Sequence, residues 1–349
     1  MTPDLLLRLR LLNQQVAPPT APDAATLVAH LGAMQAQDYG QGLWAVGVRQ
    51  PRATAASVAQ ALAERRLVRT WLLRGTLHLA AAADVRWLLA LLAPRIIAAC
   101  APMYRQRELD AATISRSLAV LAGVLEGQPP QPRSALAQAL QQAGIHTDGS
   151  RLTALLQRGV LEQLICPATR HGAEPTYALL DEWLPPAPAH PRPDAIAELA
   201  RRYFRSHGPA AVADFGWWAG LPLGEARQGL EAVQAELQSV VVGGQTYWLP
   251  EVPAATAAPA ACLLPGFDEY LLAYKDRSLV LDAPHAAAVM TSNGIFRPII
   301  VVDGRVVGTW KRSPRGTAVE LAPFAQVPVA AAAELAEAAA AFTAFWAEE

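Results

Sequence analysis

The sequence has little lysine, little cysteine and no long uninterrupted apolar run. Of its 29 basic residues only Lys275 and Lys311 are lysines, which a GC-rich genome explains as readily as a function does. Cys100, Cys166 and Cys262 stand far apart with no Cys-x-x-Cys or Cys/His spacing. That argues against a disulfide framework and a zinc site, and it fits a reducing compartment. The apolar stretch at 87–101 is broken by Pro94 and Arg95 and is too short to span a bilayer. The leucine-rich N-terminus contains Asp4, Arg8 and Arg10, unlike a signal peptide. A soluble, cytoplasmic protein is expected.

With 52% hydrophobic and 17% charged residues the chain can bury a large core and is not disordered. Its 349 residues suit two or three domains. The net charge of −1 argues against a uniformly basic nucleic-acid binder. Residues 1–180, however, hold 17 arginines against 11 acidic residues, a balance of +6 that the rest of the chain conceals. A basic half of this kind can attract phosphates, and chance segregation of surface charge reads equally well.

The elements come in a repeating order. Helices are expected at 3–13 and 23–34, the second capped by Asp23. A strand-like run follows at Leu43–Val48, and another helix opens at Thr54. The runs 67–73 and 76–80 about Arg74-Gly75 form a hairpin, and helices resume at 82–92 and 94–107. Helices at 134–143 and 148–158 precede strands at 161–166 and 176–180. After a proline-rich linker at 185–193, helices at 194–206, 210–219 and 223–235 precede strands at 237–242 and 245–249 about Gly243-Gly244. Helices followed by a two-stranded wing, three times over, is the order of a winged helix, and repetition of the unit is more informative than any one copy. A mixed array with a protein-binding role is the alternative. Beyond an Ala/Pro linker at 253–261, strands are expected at 261–264, 271–274, 294–302, 305–311 and 318–321, then a helix at 329–347. The expected fold is α+β and mainly helical. Three tandem winged-helix units (1–128, 129–184, 194–252) are followed by a small C-terminal sheet or β-barrel capped by a terminal helix (261–349).

The chemistry-bearing stretch is Met34-Gln-Ala-Gln-Asp-Tyr-Gly-Gln-Gly-Leu-Trp44. In extended backbone, Gln35 and Gln37 at i and i+2 point to one side. Two neutral amides can then hold a water or a base edge from two directions. Gly40 and Gly42 would let the chain turn tightly. Alone, such a motif reads more readily as a solvated loop.

Four segments together carry a resemblance: Gln35-Ala-Gln-Asp-Tyr-Gly40, Leu73-Arg-Gly-Thr-Leu-His-Leu79, Leu264-Pro-Gly-Phe-Asp-Glu-Tyr-Leu-Leu-Ala-Tyr-Lys-Asp-Arg277 and Gly308-Thr-Trp-Lys-Arg312. Over nearly its whole length the chain resembles the winged-helix DNA-binding family that contains the AlkZ- and YcaQ-type DNA glycosylases. The resemblance implies tandem winged helices and a C-terminal barrel around DNA. It also implies excision of bulky or crosslinked N7-alkylated purines by two glutamines, which Gln35 and Gln37 match; the YcaQ type has an aspartate at the second position. Ala36 is smaller than the family's usual aliphatic residue and is expected to loosen the packing behind the pair. No cofactor or metal is implied, and the partner is double-stranded, damaged DNA bound by a monomer.

Other residues admit two readings. Arg74 at the first hairpin tip meets a phosphate or only solvent. Arg170 and His171 in the second wing contact DNA or belong to a solvated tip. Asp268 and Glu269 are expected to pair structurally with Lys275 or Arg277. Arg277 is a further DNA-binding candidate, and Lys311 and Arg312 beside Trp310 resemble a backbone-contacting patch, or an edge-strand charge that blocks aggregation. His78 reads as a satisfied core or interface histidine. Non-catalytic regulation of DNA and a protein-interaction scaffold are the rival functions.

Overall fold

The computed structural model describes residues 1–251, 261–313 and 318–347. The expected linker at 253–261 therefore lies outside the described residues, apart from Ala261. The chain forms two compact units: residues 1–60 with 196–349, and residues 61–195. The architecture is mainly helical, with small antiparallel sheets. No helix among the described residues is long and apolar enough to cross a membrane.

In the unit of residues 61–195, strands Leu67–Leu72 and Thr76–Ala81 form the expected hairpin, with Leu72 opposite Thr76. The next helix, Val85–Ala99, continues past Pro94. The expected break there is overridden because Leu88, Leu91, Leu92 and Ile96 of this helix are buried. Helices Ala111–Leu125, Arg133–Gln142 and Arg151–Leu161 follow, the first missed by the sequence reading. The small sheet that closes the unit orders its strands Gln131–Pro132, Glu174–Leu179 and Ile165–His171.

In the other unit, Thr2 caps helix Pro3–Asn13 and Asp23 caps helix Ala24–Leu31, accepting the Ala25 and Thr26 amides. Helices Val212–Ala219 and Leu223–Val233 precede the hairpin Gln238–Val242/Gln245–Leu249. Gly243 and Gly244 both take positive φ in its turn, as the sequence predicts. The C-terminal strands form an open antiparallel sheet in the order Val319–Pro323, Arg305–Arg312, Ile299–Val302, Ala261–Leu264. The expected barrel is thus corrected: among the described residues the sheet does not close on itself. Instead the helix Val329–Phe345 packs against strand Ala261–Leu264. Its Phe342 sits between Trp44 and Trp310, with ring centres 5.1 and 4.8 Å away.

Two further expectations fail. Leu43–Val48 is not a strand: Leu43 to Gly47 belong to helix Tyr39–Gly47, which the Asp38 side chain caps, and Val48 is its C-cap. A helix buried on most sides carries no 3.6-residue periodicity to distinguish it from a strand. Likewise Leu271 and Leu272 belong to a short helix, Glu269–Leu272, capped by Asp268.

Candidate active site

Gln35 lies in a two-residue strand, Met34–Gln35, and is only 7% exposed. Its backbone N–H donates to Glu269 Oε1 at 2.8 Å. Gln37, two residues on, is exposed, and the chain bends there into helix Tyr39–Gly47. Extended backbone therefore reaches Gln35 but ends before Gln37, so one amide is buried and the other open to solvent. Asp38 Oδ1 accepts the Gln41 N–H at 2.8 Å, which fixes where the helix begins.

Gly40 and Gly42 do not make a turn; both lie inside this helix. Gly42 serves a close approach instead. A Cβ there would fall 2.6 Å from the Ala36 Cβ. Ala36, 2% exposed, is accordingly packed tightly against the helix, contrary to the expected loosening.

Asp268 and Glu269 are both buried, and the ion pair that holds Asp268 comes from Arg49, not from the expected Lys275 or Arg277. Asp268 takes a two-pronged ion pair from Arg49, with Nη2–Oδ1 at 2.7 Å and Nη1–Oδ2 at 2.8 Å. Arg49 is completely buried, and its Nε and Nη1 also donate to the carbonyls of Gln14 and Ala45. Burial alone would lower the Arg49 pKa; the adjacent Asp268 carboxylate more than offsets it, and the net shift is upward. Asp268 also accepts the Tyr270 N–H, so one carboxylate both holds Arg49 and starts the helix that carries Glu269.

Glu269 is the junction of the site. Its Oε1 holds Gln35, and its Oε2 accepts the Trp218 indole N–H at 2.8 Å. His207 Nε2 lies 3.6 Å from the same Oε2, too far for a good hydrogen bond. The His207 ring stacks on Tyr203 with centres 4.9 Å apart, and its Nδ1 meets Ser206 Oγ at 2.8 Å. Gln41 Oε1 accepts the Gly266 N–H at 2.7 Å, a second tie between the loop before Glu269 and the helix after the glutamines.

The remaining sequence candidates lie on several different elements. Arg74 occupies the tip of the Leu67–Leu72/Thr76–Ala81 hairpin between Leu73 and Gly75, both at positive φ, and is half-buried. Arg170 folds back on its own turn by donating to the Ala173 carbonyl, and His171 beside it is exposed. Arg277 donates to the Leu271 carbonyl at 2.7 Å. Lys311 pairs across the strands with Glu320 at 2.8 Å, and the Arg312 guanidinium lies 5.0 Å from the Trp346 ring centre. His78 is buried, and its Nδ1 sits 2.8 Å from the Thr76 carbonyl, as a structural histidine should. No group of three or more His, Cys, Asp or Glu side chains among the described residues could hold a metal ion.

Sequence reasoning missed Arg49, His207, Trp218 and the role of Glu269. The one available signal was the adjacency of Asp268 and Glu269 in an apolar segment, since neighbouring carboxylates there must find buried partners.

The model of the family described as DNA glycosylase AlkZ-like matches residues 28–345. An interstrand DNA cross-link repair glycosylase of Streptomyces sahachiroi is 29% identical over 321 residues, covering 86% of this chain and 85% of that protein. The structure of the Streptomyces sahachiroi DNA glycosylase AlkZ superposes with a TM-score of 0.82 at 24% identity, covering 99% of this chain and 96% of the other, a likeness of fold.

Proposed function

Because the chain belongs to the AlkZ-like DNA glycosylase family, we propose that it hydrolyses the N-glycosidic bond of N7-alkylated purines in duplex DNA, with a water held by Gln35 and Gln37. The Streptomyces sahachiroi relative is a cross-link repair glycosylase, so crosslinked N7-purines fall within the same proposal.

The chemistry suits amides. A glutamine does not titrate near neutral pH and is no strong base. An N7-alkylated purine is already cationic and departs neutral, so its departure needs no general acid. The sugar left behind is oxocarbenium-like, as in glycoside hydrolysis. What remains for the protein is to hold a water against the anomeric carbon and to favour positive charge there. In this reading Gln35 and Gln37 accept from that water through their carbonyl oxygens. Glu269, hydrogen-bonded to the Gln35 backbone, adds a negative centre beside the developing cation. The chemistry calls on no metal or cofactor.

The observation that carries the reading is the seating of Gln35: a buried glutamine whose backbone is fixed by a buried carboxylate, two residues from an exposed glutamine. In the same reading, helix sets followed by hairpins form winged-helix units within 1–128, 129–184 and 194–252, ahead of the C-terminal region 261–349. Arg74, Arg170, His171, Arg277, Lys311 and Arg312 meet the DNA backbone, and the protein acts as a monomer. The test is incubation with an N7-alkylguanine duplex followed by alkaline cleavage at abasic sites. Binding without any abasic product on alkylated purines would favour a non-catalytic DNA-binding protein instead.

A further inference from the structure

Trp217, Phe267 and Phe296 form a group of aromatic rings, linked by Arg277, that the proposed hydrolysis does not use. Trp217 and Trp218 are consecutive in helix Val212–Ala219 but differ in surroundings. Trp218 is buried and holds Glu269, whereas Trp217 is 41% exposed. The Arg277 guanidinium carbon lies 5.9 Å from the Trp217 ring centre and 5.4 Å from that of Phe296. Phe296 in turn lies 5.9 Å from Phe267, ring centre to ring centre. Phe267 is two residues from Glu269 and adopts φ +60°, a left-handed conformation that a bulky residue adopts only when its surroundings impose it. Gly266 beside it packs so closely that a Cβ would stand 2.7 Å from the Phe296 carbonyl oxygen, which joins the two phenylalanine loops.

Resting on the DNA glycosylase reading above, we propose that Trp217, Phe267 and Phe296, with Arg277 against two of them, form a stacking platform for an unstacked nucleobase of the substrate DNA. A base offers a flat π-face to the rings, and its flanking phosphates offer charge to Arg277; an aliphatic protein segment offers neither. The left-handed Phe267 follows the same logic, since strain at a bulky residue is kept where that residue's position serves a ligand.

The test compares two duplexes, one fully paired and one with a single bulged base, by binding at one salt concentration. Wild-type protein is expected to prefer the bulge by roughly five- to a hundredfold. Trp217→Leu and Phe267→Leu should abolish most of that preference while keeping an apolar side chain, and Trp217→Phe and Phe267→Tyr should retain it. A thermal melt of each variant separates loss of stacking from loss of fold. Leucine variants that keep the preference, or wild-type protein that shows none, overturn the platform, and abasic-site formation by the same wild-type protein leaves the glutamine chemistry standing. Wild-type protein that binds neither duplex overturns both.

Discussion

Gln35 and Gln37 differ in burial although they are two residues apart, and their substitutions test whether they share one task. Replacing either with alanine should lower single-turnover excision of an N7-alkylguanine about a hundredfold. Affinity for the duplex should barely change. The double substitution should cost less than the product of the two singles, because both amides hold one water. Wild-type rates in both single variants would reduce the motif to a loop. Glu269 makes a different prediction. Glu269→Ala strands the Gln35 amide and the Trp218 indole N–H without their acceptor, at about 1–3 kcal/mol each. Glu269→Gln can restore only one of the two acceptors, since its NH2 must face the other donor. Excision should therefore fall further than duplex binding in both variants, with Glu269→Gln the milder. Equal losses of excision and binding would mean that Glu269 acts on the fold alone. The Arg49–Asp268 pair belongs to stability: Asp268→Ala leaves an uncompensated buried guanidinium, a loss of about 3–5 kcal/mol that urea denaturation would measure.

Two elements meet at the glutamines, and both depend on short contacts. Helix Tyr39–Gly47 begins where Asp38 caps it, so Asp38→Ala should cost about 1 kcal/mol. It should also slow excision, because the cap sets where the chain bends after Gln37. At the other end of that helix a Cβ on Gly47 would overlap the Phe345 ring. Gly47→Ala should thus displace the helix Val329–Phe345, lowering the melting temperature while leaving far-UV helical signal nearly unchanged. An unchanged melting temperature would show that Phe345 has room to move. The C-terminal helix shows how packing replaces pattern. It is alanine-rich, and contacts from Phe342 and Phe345 to Trp44 hold it.

For the whole molecule, the +6 balance of residues 1–180 predicts that DNA affinity falls linearly with log salt, with little sequence preference. Arg74→Ala and Arg312→Ala should each weaken binding evenly across sequences, as backbone contacts do. Flat affinity from low to moderate salt would remove the electrostatic argument. Acid should destabilise the fold through His30. Burial lowers its pKa below the ordinary 6.5, outweighing the bond between its Nε2 and the Asn13 carbonyl, which raises it. The unfolded chain then binds the proton more readily than the folded one. The contribution of His30 is fully present above pH 6.5 and is lost as pH falls through the lower folded value. Melting temperatures between about pH 7 and 5 should decline less in His30→Gln than in the wild type. Parallel declines would assign the acid loss to other groups.

The sequence by itself determined the elements whose signals are local. Asp23 announces a helix start, and Gly243-Gly244 announces a hairpin; each acts through its own backbone or the next few residues. The family was legible too, since the Gln-Ala-Gln stretch and the Leu264–Arg277 segment carry it in order. Tertiary structure alone decided the rest. Leu43–Val48 and Leu271–Leu272 are apolar on every side, so no periodicity separates helix from strand, and the caps Asp38 and Asp268 settle it. Among the described residues the C-terminal strands remain an open sheet, and the helix Val329–Phe345 packs against Ala261–Leu264. The partners of Asp268 and Glu269 were beyond local reading because Arg49 lies 219 residues away and Gln35 234 residues away. A buried charge must be matched by whatever the fold brings to it, and that choice is made by packing.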